Sequence, residues 1–107
     1  MQKANPIEMP QKYKELLSIL RPGAENALSS TEITQLIGMS RRDTGEITAA
    51  LVKEYGLLIG ASRTGPKYGY YIIESEEELK NTLRALNNEA NGILARHKAL
   101  YLNFYKE

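Results

Sequence analysis

Arg41 and Arg42 stand side by side in the first turn of an expected helix, and they set the chemistry this chain can offer. Guanidinium groups bond phosphates and the O6 and N7 edge of guanine in bidentate fashion. Ser40 and Thr44 flank them with hydroxyls that can bond a phosphate or a base; helix capping and core-edge packing are the everyday uses of these two residues. Gly45 lets another backbone come close, while in an ordinary helix it costs about 1 kcal/mol against alanine. Further along, Arg63, Lys67 and Tyr68 share the turn-rich run Ser62-Arg63-Thr64-Gly65-Pro66-Lys67-Tyr68-Gly69. Two cations and a ring there can grip a phosphate or enter a minor groove, or stand in solvent as a plain hairpin tip.

Other chemistries find no support. Glu76, Glu77 and Glu78 are explained by the start of a helix, and the 62–67 run lacks the spacing of a phosphate-binding P-loop. The chain has no cysteine and one histidine, which excludes disulfides, thiolate metal sites and a histidine-rich zinc site. No enzymatic activity, metal or cofactor is expected. No apolar run reaches the roughly 18 residues of a membrane span, and the polar start does not resemble a signal peptide, so a cytoplasmic protein is expected. Fourteen Lys and Arg against 13 Asp and Glu leave a net charge of +1. Such a balance predicts modest non-specific affinity for nucleic acid and favours a dimer.

The elements that must position these residues follow from periodicity. Residues 1–9 read as a loose arm. Tyr13, Leu16, Leu17 and Leu20 form one apolar stripe from Pro10 onward, and Arg21-Pro22-Gly23 stops it. Leu28 lies in the polar connection that follows and tucks under it. Ser30 or Thr31 caps a second helix whose buried face is Ile33, Leu36 and Ile37. Gly38 supplies the positive φ of a tight turn, Met39 plugs the angle, and Ser40 caps a third helix. Thr44, Ile47, Leu51 and Val52 anchor that helix, which ends at Tyr55-Gly56. Residues 57–59 and 70–73 read as two strands of a hairpin, with Tyr70 and Tyr71 on opposite faces.

The last third is of another kind. Ser75 and Glu78 have the spacing of a capping box, and no proline follows. Leu79, Leu83, Leu86, Ala90, Ile93, His97, Leu100 and Phe104 alternate in steps of four and three, an a/d seam of nearly four heptads. A helix of about 30 residues is on the order of 45 Å long, more than so small a body covers. Part of the seam must therefore meet another chain, with His97 as a polar a-position residue that helps set register. Leu100, Tyr101, Leu102, Phe104 and Tyr105 make its end apolar on most sides, a surface that calls for a partner subunit or the first helix.

Gly38-Met39-Ser40-Arg41-Arg42 and Gly69-Tyr70-Tyr71-Ile72 resemble the winged helix-turn-helix at the start of biotin-operon-type repressors. With the long helix added, the chain is similar to small winged-helix DNA-binding proteins of Gram-positive phages and mobile elements. The resemblance implies a mainly α fold with a small β-hairpin, namely a winged helix-turn-helix over 10–73 and a coiled-coil-like dimerisation helix over 75–107. It implies double-stranded DNA as partner and a role in transcription regulation or replication control. Asp43, Gly45 and Glu46 depart from the pattern, since the recognition helix is usually richer in Lys and Arg. A rival use of the same elements is a protein-interaction module that docks a replication or regulatory partner through the long helix.

Overall fold

Each helix begins where a proline or hydroxyl frees the chain to turn. The computed structural model describes residues 8–62 and 68–106. Of the expected arm, 1–7 lies outside these residues, and Met9 is a buried member of the core rather than part of a loose segment. Helix α1 (Gln11–Ile19) starts after Pro10, whose carbonyl accepts from the amides of Tyr13 and Lys14. Ser29, one residue earlier than expected, caps α2 (Ser30–Ile37): its hydroxyl accepts from Glu32 N at 3.1 Å while the Glu32 carboxylate accepts from Ser29 N at 3.0 Å. Gly38 takes φ of 69°, and the Thr34 hydroxyl ties the turn by donating to the Met39 carbonyl at 2.6 Å. Ser40 then caps α3 (Arg41–Tyr55) by accepting from Asp43 N.

The three helices meet over Leu16, Ile33 and Leu51, all fully buried, with Met39 and Ile47 beside them. Tyr13 and Tyr55 close the α1–α3 contact edge to face, ring centres 6.1 Å apart. Leu36 and Val52, expected in the core, are 60% and 42% exposed. Ile33 and Ile37 on α2, and Thr44, Ile47 and Leu51 on α3, already define the inward faces, and the two outliers lie round the helix from them.

Strands β1 (Ile59–Ser62) and β2 (Gly69–Ile72) pair antiparallel, Ile59 opposite Ile72 and Ser62 opposite Gly69. The first strand begins later than the expected 57–59 because the Leu57 amide is spent on the Leu51 carbonyl at the end of α3. The far edge of β2 is covered by the connection between α1 and α2. Leu28 and Tyr70 exchange two hydrogen bonds of 2.9 Å, Ile72 N donates to the Arg21 carbonyl, and Gly23 N donates to the Ile72 carbonyl. Gly69 permits this crossing: at φ of 134° it is closed to other residues, and any Cβ would overlap the Leu28 carbonyl. Tyr71 is the core tyrosine of the pair, 2% exposed, and Tyr70 is half-buried against the core from the other face.

Helix α4 (Glu76–Phe104) packs on β1 through its first third. Thr82 is buried with its hydroxyl 3.4 Å from the Tyr71 phenol, and Gly60 makes room for both. The capping box is only half made. Ser75 accepts from Glu78 N, but the Glu78 carboxylate accepts from Glu74 N at 2.9 Å and from Ala24 N at 2.8 Å. Glu78 thus clamps α4 to the single 3-10 turn Ala24–Asn26. From Leu86 to Lys106 every residue is exposed, and the molecule extends 56 Å along its long axis against 32 and 31 Å across. The chain is mainly helical, with a small two-stranded antiparallel sheet and a long C-terminal helix. Among the described residues no helix is long and apolar enough to cross a membrane.

Two outcomes follow for stability. A Cβ at Gly60 would sit under 3 Å from Tyr71, Thr82 and Ile73 atoms, so Gly60→Ala should destabilise by roughly 1–3 kcal/mol in urea melts through overpacking. Backbone hydrogen bonds from Glu74 and Ala24 hold the Glu78 carboxyl below its ordinary 4.5, outweighing the opposing effect of burial. Its folded pKa is depressed, so its contribution is present above 4.5 and is lost as pH falls through the lowered value. Glu78→Gln should cost about 1–2 kcal/mol at neutral pH and flatten the acid limb of the stability curve.

Candidate nucleic-acid interface

Helix α3 is held to the core by Thr44, Ile47 and Leu51, and this fixes which side chains it turns outward. Arg41, Arg42, Glu46, Ala49, Val52 and Lys53 are exposed. Thr44 is not among them. It is fully buried and its hydroxyl donates to the Ser40 carbonyl at 2.8 Å, so, contrary to the expectation, it cannot reach DNA. Its position one helical turn before Ile47 and two before Leu51 puts it on the inward face. Ser40 remains at the surface, with its oxygen engaged by Asp43 N at 3.1 Å and its hydroxyl proton left to donate. Gly45 faces open space, with nothing within 4 Å of where a Cβ would stand.

The charges of α3 are largely matched. Arg42 Nε lies 3.1 Å from Glu46 Oε1, one turn along, with side chains 87% and 63% exposed. Lys12 of α1 reaches Asp43 at 3.8 Å. Exposed pairs of this kind contribute at most about 1 kcal/mol, so an incoming phosphate can displace either carboxylate. Arg41 has a different setting. With Ser29, Ser30, Ser62, Tyr68 and Tyr70 it lines an open groove of about 400 Å³ where the starts of α2 and α3 meet the loop end of the hairpin. A cation, several hydroxyls and the positive end of α2 converge there on a space that suits an anionic oxygen.

Of the residues expected to bind DNA, the structure brings Arg41 and Tyr68 to this one groove, with Ser40, Arg42 and Gly45 along the adjoining face of α3. Arg63 and Lys67 lie outside the described residues. Ser29 and Ser62 also line the groove, as does Ser30, expected from sequence only as a helix cap; the Ser29-x-x-Glu32 spacing is the signal that marks the first of them.

The a/d seam lies on α4 as expected, and it is open to solvent. Leu83, Leu86, Ile93, Leu100 and Phe104 are 52–74% exposed, Ala90 and His97 are exposed, and only Leu79 is half-buried. Tyr101 and Tyr105 meet near its end with ring centres 4.8 Å apart and planes tilted by 48°, beside Phe104. The apolar end therefore covers itself in part, and it does not pack on α1.

Among the described residues one set of side chains has metal-ligand proximity, the carboxylates of Glu25, Glu74 and Glu78 within 4.8 Å of one another. Glu78 is already occupied by two backbone amides, which accounts for the cluster as a structural clamp. The arrangement as a whole offers hydrogen-bond donors and cations on one side and an apolar helix face on the other. Comparison of the chain with protein-family models, curated proteins and solved structures finds no match.

Proposed function

We propose that this chain is a dimeric winged helix-turn-helix protein that binds double-stranded DNA sequence-specifically, in transcription regulation or replication control of a mobile element. In this reading α3 enters the major groove with Arg41 and Arg42 leading, and the hairpin meets the adjacent backbone. The α4 seam from Leu79 to Phe104 pairs two copies. The groove that joins Arg41 to Tyr68 and to the start of α2 carries the proposal, because it aligns donors from three elements along one path. The net charge of +1 suits two weak half-sites joined by a dimer.

A second reading has its own observation. The Arg42–Glu46 and Lys12–Asp43 pairs neutralise much of α3, which favours a module that docks a replication or regulatory protein. Salt dependence separates the two. DNA binding should weaken steeply with salt, and Arg41→Ala with Arg42→Ala should lower affinity at least tenfold while reducing the log–log salt slope by about 1–2. Binding that ignores both arginines would favour the docking module. Gly45→Ala should raise stability by about 1 kcal/mol, since a helical alanine there meets open space, and should weaken DNA binding. A stabilised variant with unchanged affinity would remove Gly45 from the interface.

A further inference from the structure

The seam on α4 selects how a second copy must lie against it. Its steps of three and four assign Leu83, Ala90, His97 and Phe104 to a positions and Leu79, Leu86, Ile93 and Leu100 to d positions. We infer that the second copy pairs antiparallel in one register, Ala90 against the partner's Ile93 and Leu86 against the partner's His97. This rests on the dimer reading above.

A parallel pair brings like positions together. Ala90 would meet Ala90 and leave a void, His97 would meet His97 in one layer, and Phe104 would meet Phe104. Isoleucine at d also fits poorly in a parallel two-stranded coil. The antiparallel pair sets a against d. Ala90 then fills against the partner's Ile93 twice at the centre, and Phe104 covers the partner's Leu79 at each end. Each small residue meets a large one, as close packing requires. His97 lies against the partner's Leu86 with its polar edge free to reach water.

Charge agrees with packing. At the positions preceding a, a parallel pair sets Glu89 near Leu94 and Arg96 near Tyr101. The antiparallel register sets Glu89 beside the partner's Arg96, and Arg96 beside the partner's Glu89. Two opposite-charge contacts replace none.

Extent is sufficient as well. The register centres between Asn91 and Gly92, close to the middle of α4, so the two helices overlap over about 40 Å. Leu83, Leu86 and Ile93, each more than 50% exposed in one copy, are covered together with their neighbours. The pair removes on the order of 1,500 Å² from water, within the range of stable interfaces. One body docks on α4 near Thr82, which this register sets opposite the partner's Tyr101. The two bodies are then offset by about 28 Å along the helix axis, somewhat short of the roughly 34 Å rise of one DNA turn.

The chain has no cysteine, so a nitroxide can be attached at Leu102→Cys, and separately at Asn88→Cys, both on the side of α4 away from the seam. Pulsed dipolar spectroscopy on the full chain, with mass from light scattering, reads the arrangement. The antiparallel register predicts a dimer whose Leu102 labels are more than about 10 Å farther apart than its Asn88 labels. Equal separations in a dimer would overturn the register and leave the dimer standing. A monomer mass with no dipolar coupling would overturn the dimer reading and the register together. As a second readout, Glu89→Lys should lower dimer affinity severalfold and adding Arg96→Glu should restore it; a double variant weaker than the single one contradicts the register.

Discussion

The backbone of Leu28 lying across Gly69 and Tyr70 is the contact on which the rest of the molecule depends. A two-stranded hairpin alone is marginal in water. Here β2 gains a partner on its free edge through the paired hydrogen bonds of Leu28 and Tyr70, and through those of Arg21 and Gly23 with Ile72. The bonds bind the hairpin to the residue that precedes the Ser29 cap, so the hairpin and the start of α2 move as one. Arg41 in turn is fixed to α2 through the Gly38 turn and the Thr34–Met39 bond. The groove between Arg41 and Tyr68 exists because these two links share α2. A side chain on Gly69 would break the first link, which gives that glycine a role unlike that of Gly45 on the surface of α3.

Local rules made part of this legible in the sequence. Gly38-Met39-Ser40 states a turn and a cap within three residues, and Ile47 and Leu51 state a face. The seam of α4 is legible because period and length need no tertiary context. Leu28 is not legible in this way: one residue in a polar connection carries no strand pattern, and its partner lies far along the chain. Ser29, Ser30 and Thr31 are all good caps, and only the reach of Glu32 back to the Ser29 amide chooses among them. Thr44 has a type common at interfaces, but its place on the inward face makes it a core residue. Leu36 and Val52 are apolar and so read as inward from sequence, yet both are exposed because two or three inward positions on each helix already fill so small a core.

Helix α4 answers two demands with one continuous element. Its first turns are spent on the body, where Glu78 grips the turn before α2 and Thr82 enters beside Tyr71 and Gly60. Its remaining length carries leucines and aromatic residues into solvent. The Glu78 clamp sets the direction in which α4 leaves the body, and in the proposed dimer that direction would set the angle at which a second copy presents its own α3. Under that proposal, pairing and DNA reading would be coupled through a carboxylate outside both the seam and the groove. The near-neutral α3 face suits the proposed dimer, since two weak half-site contacts would bind with the effective concentration of a tethered pair.

Whether a paired chain reads DNA with α3, as proposed, is decided by selection from a random-sequence duplex pool at low salt. The dimer should retain a family of sequences with two related half-sites spaced by about one helical turn, and lose them when Arg41 and Arg42 are both replaced by Ala. A purified dimer that retains no DNA from the pool at low salt would contradict the proposal.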